Sequence, residues 1–167
     1  SQSAGQASGG LQEMLEIAED IQSEFQEDTV DEMLRRFLAL IRNLLFISQK
    51  QENLVKETEG LRSRSPKLNE TALKQDRILR ENQQFMIQLT ELSKQTFHIS
   101  PEIASAIGKT KTSMDRAIAR LEQRQTSSAR QEMKKILKGL NETAYLLLES
   151  ANQMQMRGSG AGFAQFM

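Results

Sequence analysis

Apolar side chains recur along this chain at alternating steps of three and four residues, and that spacing limits what the chain can fold into. The clearest run is Ile103, Ile107, Thr110, Met114, Ala117 and Leu121. A helix turns once every 3.6 residues, so positions spaced this way share one face, whereas a strand would need an alternation of two. Residue content agrees. Gln, Glu, Leu, Ala, Lys, Arg and Met dominate, aromatics make up 5%, and β-branched residues are sparse, which favours helix over sheet. The expected fold is all-α: an antiparallel helical bundle of four to five helices with coiled-coil-like seams.

Five helical segments follow from the stripes and their breaks. Leu11, Met14, Ala18, Ile21 and Phe25 form a first stripe that ends near Asp28. Thr29 with Glu32 fits a capping box opening a second helix, which runs to about Leu61 and is apolar nearly all round in its first half. Ser65-Pro66 reads as an N-cap followed by a proline at the first helical position, where the missing N–H costs nothing. The stripe that follows is Leu68, Ala72, Leu79, Met86 and Leu89, with Gln75 and Asn82 at stripe positions, either partly exposed or serving to fix register. Ser100-Pro101-Glu102 repeats the N-cap and proline signature. A turn is expected around Thr126 to Ser128, before a fifth helix built on Met133, Ile136, Leu140, Leu147 and Met154. Short links imply antiparallel neighbours, so Leu121 should lie near Met133 and Ile107 near Leu147. Five methionines (Met14, Met86, Met114, Met133 and Met154) fall on stripes and read as core.

In domain terms, residues 1–10 read as a flexible N-terminal segment or a remnant of expression. Residues 11–157 read as the bundle, and 158–167 as a Gly/Ser-rich linker with the start of a truncated continuation. Nothing in the first ten residues resembles a signal peptide. Both ends look like cuts, so the chain is expected to be a piece of something larger.

At 167 residues the chain can bury a core without disulfides, and it has no cysteine. Its 22 basic side chains match 22 acidic ones, which argues against nucleic acid, whose binders need a surplus of Lys and Arg. The longest apolar stretch, Met33 to Ile47, is broken by Arg35, Arg36, Arg42 and Asn43, so no direct membrane insertion is expected. The charge is nevertheless unevenly placed. Glu13, Glu16, Glu19, Asp20, Glu24, Glu27 and Asp28 lie in the first 28 residues with no basic partner, which leaves the remainder at +7. This acid strip is the candidate interaction surface. It is expected to dock on basic neighbours within its own bundle, with recruitment of a basic partner as the alternative.

Catalytic, cofactor and metal chemistry find no foothold. One histidine, His98, and no cysteine remove thiol dyads, histidine triads and multi-histidine zinc sites. His98 and Glu102 have the spacing of two ligands on a helix, but Ser100-Pro101 places the helix start between them. Gly108-Lys109-Thr110 resembles the end of a phosphate loop, yet the position that would need glycine is Ile103. Paired carboxylates fall on solvated faces. Asn69-Glu70-Thr71 and Asn141-Glu142-Thr143 match a glycosylation pattern that arises often by chance.

A resemblance appears in the second half. Phe97-His98-Ile99-Ser100-Pro101-Glu102, Met114-Asp115-Arg116-Ala117, Leu121-Glu122-Gln123-Arg124 and Leu140 to Glu149, then Gln153-Met154 before a Gly/Ser stretch, resemble the helical region of a family of large, uncharacterised bacterial membrane-anchored proteins, a domain of unknown function. Arg35 to Leu61, with Ser48-Gln49-Lys50-Gln51-Glu52, is similar to the preceding part of that region. The resemblance covers residues 30 to 160. It implies membrane spans near the N-terminus of the full protein, a long Gln-rich helical portion outside the membrane, and a periplasmic address, with a cytoplasmic one left open. It brings no activity, cofactor or catalytic residue. The chain departs from the family by lacking a span and ending before the Gln-rich part. The reading is a non-catalytic helical interaction or spacer module of a larger membrane-anchored protein, engaging a protein partner or its own copies, with no cofactor, metal or small ligand expected. The alternative is an extracytoplasmic sensor-like bundle that binds a small ligand between helices through Gln75, Asn82 and Asn141.

Overall fold

The computed structural model describes the backbone of residues 2–96 and 99–159 and the side chains of residues 10–20, 31–95 and 99–156. Within these the protein is all-α, with four helices: α1 (Gln2–Thr58), α2 (Leu68–Thr96), α3 (Pro101–Glu122) and α4 (Thr126–Ser159). Each helix packs on its neighbours in chain order and α4 returns against α1, while α1 with α3 and α2 with α4 make no comparable contact. That is a square of four helices with the core along its axis. No helix among the described residues is long and apolar enough to cross a membrane.

The core is built as heptads. On α1 it takes Phe37, Ile41, Leu44, Ser48, Gln51, Val55 and Thr58, and on α2 Leu68, Thr71, Gln75, Ile78, Asn82, Phe85, Leu89 and Leu92. The seam expected on α3 is buried throughout, from Ile103 to Leu121. Facing it on α4 are Ala129, Met133, Ile136, Leu140, Ala144, Leu147 and Ala151. On α2 the centre of the stripe is shifted from the expected one. Ala72, Leu79 and Met86 are only partly buried and flank a row containing Thr71, Gln75 and Asn82.

Of the polar members of that row, Thr71 donates to the Lys67 carbonyl and Gln75 pairs across to α1. Gln51 and Gln75, both fully buried, exchange two amide hydrogen bonds, Nε2 of each donating to Oε1 of the other at 2.9 and 2.8 Å. Gln75 is therefore a register lock between α1 and α2 and not a partly exposed position. A slip of one turn would leave both amides unpaired in an apolar interior. Replacing Gln75 alone by leucine should cost about 2 kcal/mol in urea unfolding, because it strands the Gln51 amide, whereas the double change Gln51→Leu/Gln75→Leu should be nearly neutral. A double mutant as unstable as the single one would show that the pair does not act as a unit.

Three helix boundaries differ from the expected ones. The break near Asp28 is absent: α1 runs continuously from Gln2 to Thr58, so the first two expected segments are one helix. Between Gly10 and Gly60 there is no glycine or proline. Asp, Thr and Val in a helix interior cost only a few tenths of a kcal/mol each, less than the cost of ending and restarting a helix. What looked like a boundary is a change of phase. Continuing the three–four spacing beyond Phe25 leads to Glu32, Arg35 and Ala39, which are exposed, while the core stripe begins at Phe37.

The second boundary lies at Ser65-Pro66, where α2 starts only at Leu68. Ser65 Oγ instead accepts from the Lys67 N–H at 3.2 Å in a turn. By contrast Ser100 caps α3 as expected, accepting from the Ile103 N–H at 3.2 Å with Pro101 behind it. The third is the α3–α4 link, which is Gln123–Gln125 and not Thr126 to Ser128. Arg124 takes a left-handed conformation with φ 59°, so three residues suffice to reverse the chain. Because α4 starts that early, Thr110 comes level with Gly139. Leu121 is consequently closer in height to Ala129 than to Met133, about one turn from the expected register. The Arg124 guanidinium also donates to the carbonyls of Ser63 and Ser65, and Arg130 to that of Glu59. The two links at this end of the bundle are thereby tied together.

Candidate functional site: the acidic arm and the α3/α4 groove

The α1–α4 register places the acid strip. Ser48 donates to Asn141 and Arg130 to the Glu59 carbonyl, two pairs on one antiparallel register that brings Ser159 opposite residue 30. On the other side the Gln51–Gln75 and Lys50–Glu81 pairs bring the end of α2 to about the same level. At 1.5 Å per residue, residue 10 then lies about 30 Å beyond the level of Thr96 and Ser159, the last described residues of α2 and α4.

The side chains there behave accordingly. Leu11, Met14, Leu15 and Ile17 are 64%, 66%, 61% and 58% exposed. Glu13, Glu16, Glu19 and Asp20 are exposed as well. The described members of the stripe, Leu11, Met14 and Ala18, are thus not docked within the bundle, and Met14 is not a core residue. Glu24, Glu27 and Asp28, with Ile21 and Phe25, lie outside the described side chains. Four carboxylates and four large apolar side chains on one helical arm form an amphipathic surface with nothing against it among the described residues. A lone exposed leucine means little, and it is the grouping of four on one short stretch of helix that makes the arm the candidate contact surface.

A second feature arises between α3 and α4. A Cβ added at Gly139 would sit 2.1 Å from Thr110 Oγ1, so glycine is what permits the two backbones to approach this closely. Outside that contact runs an open groove of about 730 Å³, lined at its base by the buried or half-buried Ala106, Thr110, Ser113 and Gly139 and further out by the exposed Lys109, Arg116, Lys135 and Lys138, with Glu142 as the one carboxylate of the lining. Lys135 lies 3.5 Å from Glu132, a carboxylate 9% exposed whose other oxygen has no hydrogen-bond partner among the described residues. Lys109, Arg116 and Lys138 form no ion pair among the described residues. Sequence reading counted the +7 excess outside the acid strip but could not place it, because the four cations come from two helices and meet only through packing. Gly108 and Gly139, isolated glycines inside helical patterns, were the available signal.

The remaining positions that could bear chemistry are occupied otherwise. Gly108-Lys109-Thr110 lies within α3 and is no phosphate loop. Thr71 and Thr143 donate to the carbonyls four residues back on their helices. Gln75 is committed to Gln51 and Asn141 to Ser48, while Asn82 is buried. His98 lies outside the described residues, and no group of acidic or histidine side chains among the described ones could hold a metal ion. Among the described residues, two groups are shifted from their ordinary range. The Glu57 carboxylate, by accepting a hydrogen bond from Lys74, holds its ammonium above the usual lysine value. Glu149 likewise raises the Tyr145 hydroxyl by accepting its hydrogen bond. Both are surface pairs outside the arm and the groove. No family model, curated protein or solved structure matches this chain.

Proposed function

We propose that the chain is a non-catalytic helical interaction module of a larger, membrane-anchored bacterial protein, with the N-terminal arm of α1 as the surface that engages a partner. The observation that carries this reading is the exposure of Leu11, Met14, Leu15 and Ile17 on a helix that continues unbroken into the bundle. Because the arm continues a packed helix, its helix needs no separate nucleation on binding, which lowers the entropy lost there. Its acidic side chains would speed encounter with a basic surface and select against an acidic one. The anchored parent and the periplasmic address rest on the family resemblance of residues 30 to 160.

Hydrogen exchange on the dilute chain tests the reading. Amides of residues 12 to 20 should exchange rapidly while those of α3 and α4 are protected, since the arm has no tertiary contact to hold it closed. Protection across residues 12 to 20 in a dilute monomer would mean that the arm lies against its own bundle, and the reading would fail.

A further inference from the structure

We infer that the arm's partner is a second copy of this chain, with residues 10–20 of one copy lying in the α3/α4 groove of the other. This rests on the reading of the arm as an interaction helix and names what it engages. Two properties of the surfaces support this pairing. The arm segment presents Glu13, Glu16, Glu19 and Asp20 and no cation, while the groove presents four cations and one carboxylate. The groove floor is made of small residues, so a third helix can approach it closely. The aliphatic stems of Lys109, Lys135 and Lys138 can then cover Leu11, Met14 and Leu15 while their ammonium groups meet the arm's carboxylates.

The same chemistry argues against the simpler pairing of arm with arm, which would bring two strips of like charge together. It also separates donor from acceptor surface. Arm and groove are different patches of one chain, so two copies can close by reciprocal exchange, or many can continue head to tail.

Sedimentation velocity of the whole chain at low and at high salt provides the test. At about 0.05 M salt the chain should sediment as a dimer or larger assembly, and at about 0.5 M, where such pairs are screened, it should shift towards monomer. Groove reversal (Lys109→Glu, Arg116→Glu, Lys138→Glu) and arm reversal (Glu13→Lys, Glu16→Lys, Glu19→Lys, Asp20→Lys) should each weaken self-association at least about tenfold. Mixing the two reversed proteins should restore it, because every arm then faces a groove of opposite charge. This restoration also shows that neither variant has lost its fold.

A wild-type chain that stays monomeric at low salt and high concentration, with its arm still exchanging rapidly, would overturn the second-copy inference and leave the interaction reading standing. A monomer with a protected arm would overturn both. Association that survives groove reversal, or that mixing fails to restore, would overturn the groove as the docking site.

Discussion

Replacing Met114 by alanine should destabilise the bundle by about 2–5 kcal/mol, and Leu140→Ala should do the same. Both side chains are essentially without solvent exposure, at 0% and 1%, on helices that share the most extensive contact of the fold. Truncating either removes several methylenes from a closely packed interior, and helices held at both ends cannot collapse to fill the space. Met14→Ala serves as the internal comparison. It removes the same atoms from a side chain 66% exposed on the arm and should change stability by less than about 0.5 kcal/mol. Urea unfolding of the three variants measures all of this. Equal losses at Met14 and Met114 would mean that the arm is packed after all.

Gly139→Ala should cost about 3 kcal/mol, against the gain of about 1 kcal/mol that helix propensity alone assigns to this change. The new Cβ would meet Thr110 Oγ1 at 2.1 Å and Thr110 Cβ at 3.3 Å, and Thr110 is pinned by donating to the Ala106 carbonyl at 2.7 Å. Either that bond breaks or α3 and α4 move apart. Gly108→Ala, at an exposed position of α3, meets nothing within 4 Å and should therefore show the propensity gain unopposed. The cause can be separated with Thr110→Ala, which removes the nearest atom: combined with Gly139→Ala it should recover more than half of the loss. Thermal unfolding that places Gly139→Ala above the wild type would show that the helices tolerate a wider spacing.

These contrasts mark what the sequence could and could not convey. The seam from Ile103 to Leu121 and the row Met133, Ile136, Leu140 and Leu147 were legible because an apolar heptad states both the helix and its buried face. Ser100-Pro101 was legible because cap and proline act within one turn. Ser65-Pro66 has the same composition, yet there the serine closes a turn two residues short of the helix, in a loop whose Ser65 carbonyl also accepts from Arg124, a contact no local signal announces. The Gln51–Gln75 lock could not be read from either residue alone, since an amide on a stripe is satisfied only by a partner 24 residues away. The acid strip was visible as composition. Its isolation was not, because a phase change in an apolar stripe looks the same whether the helix stops or merely turns a new face outward. The groove was the least legible feature, for its cations are scattered in sequence and its depth depends on a glycine meeting a threonine of another helix.

The antiparallel return of α4 on α1 has a mechanical consequence. The arm leaves the bundle at the end where α4 finishes, so tension applied between the arm and Ser159 acts across the α1–α4 seam at its open end. Such a load meets the contacts one layer at a time, beginning with the pair nearest residue 30, and would peel the two helices apart rather than shear them past each other. A chain pulled in this way gains from the folded body only the spacing of adjacent helices, about 10 Å, and none of its length. The bundle therefore hangs beside the line of force as a side branch, and the Arg124 and Arg130 clasps at its far end are the last contacts that force would reach.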